Sequence, residues 1–105
     1  MNSGETLSET VNQTALGFCI YIDTLLAGPV PVERNSGGNP FIYPTRTEAE
    51  REIAEDTIDR IQQFLTGERD FEDAITVEEY VVDVNVLLDG SIVDEAGNHF
   101  GMDNW

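Results

Sequence analysis

A chain of 105 residues carries 21 Asp and Glu against five Arg and no Lys, a formal net charge of −16 at pH 7. That length accommodates one domain, and 40 % hydrophobic residues in periodic clusters suit a small packed interior better than a disordered chain. The charge argues against direct binding to nucleic acid or to an anionic membrane, because both recruit basic side chains.

In chain order, Met1 to Thr14 is polar and is expected to be a loose N-terminal tail, with the domain spanning 15–105. This stretch lacks the apolar core and basic start of a signal peptide. No run approaches the roughly 20 apolar residues of a membrane span. A soluble, cytoplasmic protein is the expectation. Leu16 to Leu26 reads as a strand, with Phe18, Ile20, Ile22 and Thr24 on one parity and Cys19, Tyr21 and Asp23 on the other. Cys19 is the one cysteine, so an internal disulfide and a multi-thiolate metal site are excluded, and its apolar setting marks it as a small core residue. Ala27 to Asn39 holds two prolines and three glycines and reads as a loop or wide hairpin connection. Pro40 to Tyr43 is a short strand that Pro44 stops.

Thr45-Arg46-Thr47-Glu48 has the form of a capping box, in which a hydroxyl accepts an amide bond at the third helical position and Glu48 reaches back. The helix it opens is expected to run to about Thr66, with Gly67 as the left-handed residue past its end. At 100° per residue Ile53, Ala54, Thr57, Ile58, Ile61, Phe64 and Leu65 share one side, an apolar stripe expected to pack on a sheet. Glu68 to Thr76 is acidic, with Phe71 and Ile75 as anchors and one short helical turn. Glu79 to Leu88 alternates as a second strong strand, and Asp89-Gly90 signals a tight hairpin turn. Ser91 to Asp94 forms the return strand. Glu95 to Asn98 turns again, Phe100 folds back, and Met102 to Trp105 is an exposed end unless Trp105 docks. The order ββαββ specifies an α+β fold: an antiparallel sheet of three to four strands with one long helix packed on one face.

Catalytic signatures are missing: there is no GxSxG, no GxGxxG and no phosphate loop. Neither a catalytic residue nor a cofactor is therefore expected. Cys19 and His99 belong to a mid-strand position and a C-terminal turn and do not form a catalytic pair. Asp94, Glu95, His99 and Asp103 have the spacing of neither an EF-hand nor a zinc motif, so no metal site is assigned.

The charge is unevenly distributed. Residues 1–44 hold four acids, and residues 45–105 hold 17 against four arginines. Glu48, Glu52, Glu55 and Asp59 fall within about 60° on the helix and form a row about 16 Å long at roughly 1.5 Å rise per residue. A duplex strand presents a phosphate every roughly 3.4 Å, so the row resembles part of a phosphate track. Like charges three or four residues apart each destabilise a helix by about 0.2–0.5 kcal/mol, so stability alone does not select this pattern. Glu68, Asp70, Glu72 and Asp73 extend the negative surface beyond Gly67. Three readings compete. The acids form a solvated surface, with adaptation to high salt as a variant; or they imitate nucleic acid and occupy a basic groove, steered there by charge; or the chain is an interaction or self-association module that uses an apolar second sheet face of Cys19, Tyr21, Val81 and Leu87.

In size, charge and α+β layout, and in the acidic helix Glu48-Ala49-Glu50-Arg51-Glu52-Ile53-Ala54-Glu55-Asp56, the chain resembles small phage-borne inhibitors of the anti-CRISPR and anti-restriction type. The resemblance implies a non-catalytic, stoichiometric inhibitor. Its partner would be the basic, nucleic-acid-binding surface of a nuclease complex in host defence.

Overall fold

A computed structural model describes residues 15–102. The tail expected over 1–14, together with Asp103 and Trp105, lies outside the described residues. The chain is α+β, with a curled antiparallel sheet of five strands and one long helix. The strands are β1 (Ala15–Thr24), β2 (Gly28–Pro31), β3 (Tyr80–Val86), β4 (Ile92–Asp94) and β5 (His99–Phe100). Helix α1 (Arg46–Leu65) and the single turn α2 (Phe71–Ile75) stand between β2 and β3. The sheet order is β2-β1-β3-β4-β5, so every sequential connection except that through the helices joins neighbours. Among the described residues, no helix is long and apolar enough to cross a membrane.

The strand count exceeds the expected three to four because β2 lies inside the stretch read as a loop or wide hairpin connection and His99–Phe100 pairs with β4 as a further strand. Gly28 turns the chain at φ +70°, and the Thr24 hydroxyl ties the turn by donating to Gly28 O at 2.9 Å and accepting from Ala27 N at 3.0 Å. The prolines do not prevent pairing. Ile22 meets Val30 and Thr24 meets Gly28, so Pro29 and Pro31 occupy the alternate positions of an edge strand, where the missing N–H faces outward. The strand expected at Pro40–Tyr43 is reduced to isolated bridges, Phe18 with Tyr43 and Arg34 with Pro40.

Both faces of β1 are covered. Between α1 and the sheet, Ile20 and Tyr43 meet Ala49 of the helix, with Phe18, Val32, Ile53 and Val81 packed against them. On the opposite face Cys19, Tyr21, Val84 and Ile92 form a second cluster with Val82, Val86 and Phe100, where β4 and β5 curl over the sheet. The apolar second face expected to be open is therefore interior: Cys19 and Tyr21 are buried, and Val81 lies on the helix side. Gly17 permits the curl. A Cβ there would sit 2.6 Å from Ile42 Cγ2 and 2.9 Å from Val86 Cγ2.

The ends of α1 follow their residues. Thr45 Oγ1 accepts from Glu48 N at 3.1 Å. At the other end Glu68 N donates to Gln63 O at 2.7 Å and Gly67 N to Phe64 O at 3.0 Å, the paired bonds of a Schellman motif around Gly67 at φ +85°. The packing face differs from the expected stripe. Ala49 is fully buried, and Glu52, Ile53, Asp56, Thr57 and Arg60 are half-buried, whereas Ile58, Ile61 and Leu65 face out. Packing centred on Ala49 and Ile53 leaves the side of the stripe that carries Ala54, Ile58, Ile61 and Leu65 turned away from the core.

Candidate functional site

The four-carboxylate row lies on a flank of α1 at the margin of its packing face. Glu48, Glu55 and Asp59 are exposed. Glu52 is half-buried and turns inward, where carboxylate oxygens of Glu33, Glu52 and Asp56 lie within 4.8 Å of one another. Glu33 reaches this cluster from the segment after β2 and accepts a hydrogen bond from the Tyr43 hydroxyl at 3.2 Å. Partial desolvation, and then the charges of Asp56 and Glu33, hold the Glu52 carboxyl above its ordinary pKa. Glu79 is raised in the same way, first by burial and then by Asp56, against the opposing pull of Arg60 at 3.7 Å. The solvent-facing row is thus three carboxylates, with Glu52 diverted into an acidic cluster beneath it.

The four accessory acids divide between different surroundings. Glu68 accepts from Thr66 Oγ1 at 2.8 Å and borders a shallow depression of about 270 Å³ shared with Asp59, so these two sit together. Asp70 is the N-cap residue of α2 but makes no side-chain cap bond. Glu72 and Asp73 line a larger open depression of about 530 Å³ with Asp56, Arg60, Arg69 and Glu79. Arg69 neutralises Asp73 at 2.8 Å and is itself held by Gln63 Oε1 at 2.7 Å. Of the eight acids, Glu48, Glu55, Asp59 and Glu68 are exposed on the row and its continuation, Glu52 belongs to the Glu33–Asp56 cluster, Glu72 and Asp73 border the depression in which Arg69 pairs with Asp73, and Asp70 stands apart.

Three of the five arginines are committed elsewhere: Arg46 to Asp83, Arg60 to Glu79 and Arg69 to Asp73. Arg46 also lies over the Phe18 ring at 5.7 Å. Arg51 is exposed and borders the row without an ion pair among the described residues.

Sequence reasoning missed Glu33 and Glu79 as part of this surface. The spacing of Glu52 and Asp56 already made them neighbours on the helix, but nothing local placed Glu33 beside them. Elsewhere, burial pushes the Cys19 thiol up to about 12, so it remains protonated at neutral pH. His99 Nε2 lies 2.9 Å from Ser91 Oγ, and the Asp94 carboxylate is occupied by Tyr21, Ala96 and Asn98. No protein-family profile, curated protein or solved structure matches the chain.

Proposed function

We propose that the protein is a non-catalytic binding module that presents its acidic helix flank to a basic protein surface. The surface that fits is one that otherwise holds nucleic-acid phosphates, so binding there blocks nucleic acid from that partner. One observation carries this reading: Glu48, Glu55 and Asp59 are exposed along one flank of the only long helix among the described residues, continuing to Glu68. Arg46, Arg60 and Arg69 are paired with acids outside the exposed row. The row costs helix stability through like-charge neighbours, and a basic partner relieves that cost on binding. Charge steering would make association fast and salt-sensitive.

The test is competition. A protein captured by the immobilised chain is loaded with a short fluorescent DNA duplex, and the free chain is titrated in. Release of the duplex is expected, together with at least about tenfold weaker binding by a Glu55→Lys/Asp59→Lys variant, equivalent to about 1.4 kcal/mol. Capture only of proteins that hold no nucleic acid, or equal binding by the charge-reversed variant, overturns the reading.

A further inference from the structure

The outward side of α1 carries a second surface of opposite character. Ala54, Ile58, Ile61 and Leu65 succeed one another at intervals of four, three and four residues, which is the spacing of a coiled-coil seam. None of them joins either core cluster, and Ile58 and Leu65 are 56 % and 73 % exposed. Phe64 and Phe71, in contact at 5.3 Å between ring centroids, continue the apolar surface from one border of the seam.

We infer that this seam is where a second copy of the chain docks, helix against helix and antiparallel. The residues bordering the seam are Glu50, Thr57 and Phe64 on one side and Glu55 and Gln62 on the other. Set antiparallel, a second copy brings Arg69 rather than a carboxylate level with Glu50. The orientation follows from charge. With a twofold axis midway between Ile58 and Ile61, Ile58 of one copy faces Ile61 of the other and Ala54 faces Leu65. Arg51 then comes level with Glu68, which Thr66 holds at the end of the helix. Glu55 comes level with Phe64, so no carboxylate opposes another along the seam. A parallel pair would instead set Arg51 against Arg51.

The exposed portions of these side chains fall short of the ~800 Å² per partner of a standard interface, so the dimer is weak and concentration-dependent. An antiparallel twofold pair also places the same flank of both helices on one side of the assembly. Glu55 and Asp59 of both copies therefore share a surface.

The experiment is sedimentation equilibrium on the full chain over a wide concentration range at physiological salt. The weight-average mass is expected to rise from that of one chain toward that of two. An Ile58→Gln/Leu65→Gln variant is expected to keep its circular dichroism and to remain at the mass of one chain, since both side chains are outside the core. Arg51→Glu is expected to weaken the dimer about two- to fivefold, and adding Glu68→Arg to restore it. A parent chain that stays monomeric throughout, a double glutamine variant that dimerises as well as the parent, or a charge reversal that is not rescued overturns the proposal.

Discussion

The Tyr21 hydroxyl donates to the Asp94 carboxylate at 3.1 Å, joining residues 73 positions apart in the interior of the curled sheet. Burial, and then the negative charge of Asp94, push the phenol above its ordinary pKa, so it stays a neutral donor. The same carboxylate accepts from Ala96 N at 3.0 Å and Asn98 N at 2.9 Å, closing the turn between β4 and β5. Tyr21→Phe keeps the edge-to-face contact with Phe100 at 6.0 Å but removes a donor to a charged group, an expected loss of about 1.5–3 kcal/mol. Asp94→Ala removes the turn bonds as well and is expected to cost more. Urea unfolding of the two variants checks the order; an unchanged Asp94→Ala midpoint would show that the turn stands without its carboxylate.

Gly17→Ala forces a methyl against Ile42 and Val86 in a layer with no slack on that side. Overpacking of this kind is expected to cost about 1–3 kcal/mol, although alanine is ordinarily neutral or favourable in place of glycine in a chain. The unfolding midpoint reads it directly.

Glu52 and Glu79 have raised carboxyl pKa values in the folded chain. The native state thus takes up these protons at a higher pH than the unfolded chain, whose value is near 4.5. With more protons bound in the native state, stability increases as pH falls from neutral toward that value and declines as pH rises through the native pKa values. The unfolding temperature is expected to peak in mild acid. Glu52→Gln is expected to raise neutral-pH stability by about 0.5 kcal/mol, on the scale of a like-charge helix pair, and to flatten the slope. A steeper slope in Glu52→Gln would contradict this account of the cluster.

At −16 net charge the folded chain repels itself, and salt screens that repulsion. The screening length falls from about 10 Å at 0.1 M to about 3 Å at 1 M salt, so most of the gain comes early. The unfolding temperature is expected to rise and then level off below molar KCl. A continued steep rise through molar KCl would favour adaptation to a high-salt interior over selection for a basic partner.

Where stability hangs on neighbours in the chain, the sequence was readable. Thr45 and Gly67 bound the long helix as their chemistry demands, and the alternation around Tyr80 to Val86 identified a strand. β2 was not readable, because whether Pro29 and Pro31 tolerate pairing depends on which edge of which strand they meet. The inward turn of Glu52 was hidden too, since Glu33 arrives from another segment.

By itself the sequence determined the composition of each local surface: an acidic row, an apolar stripe, and the caps that hold them on one helix. Only the tertiary structure decided which surface faces water. Ala49 allows one side of α1 to reach the sheet, and that contact fixes the helix's rotation. The rotation carries Ile58 and Leu65 outward and draws Glu52 in, because a rigid helix presents all its faces in a fixed angular relation. In α1 the packing face centres on the side that Ala49 opens to the sheet, and only part of the apolar stripe marked by periodicity lies on it.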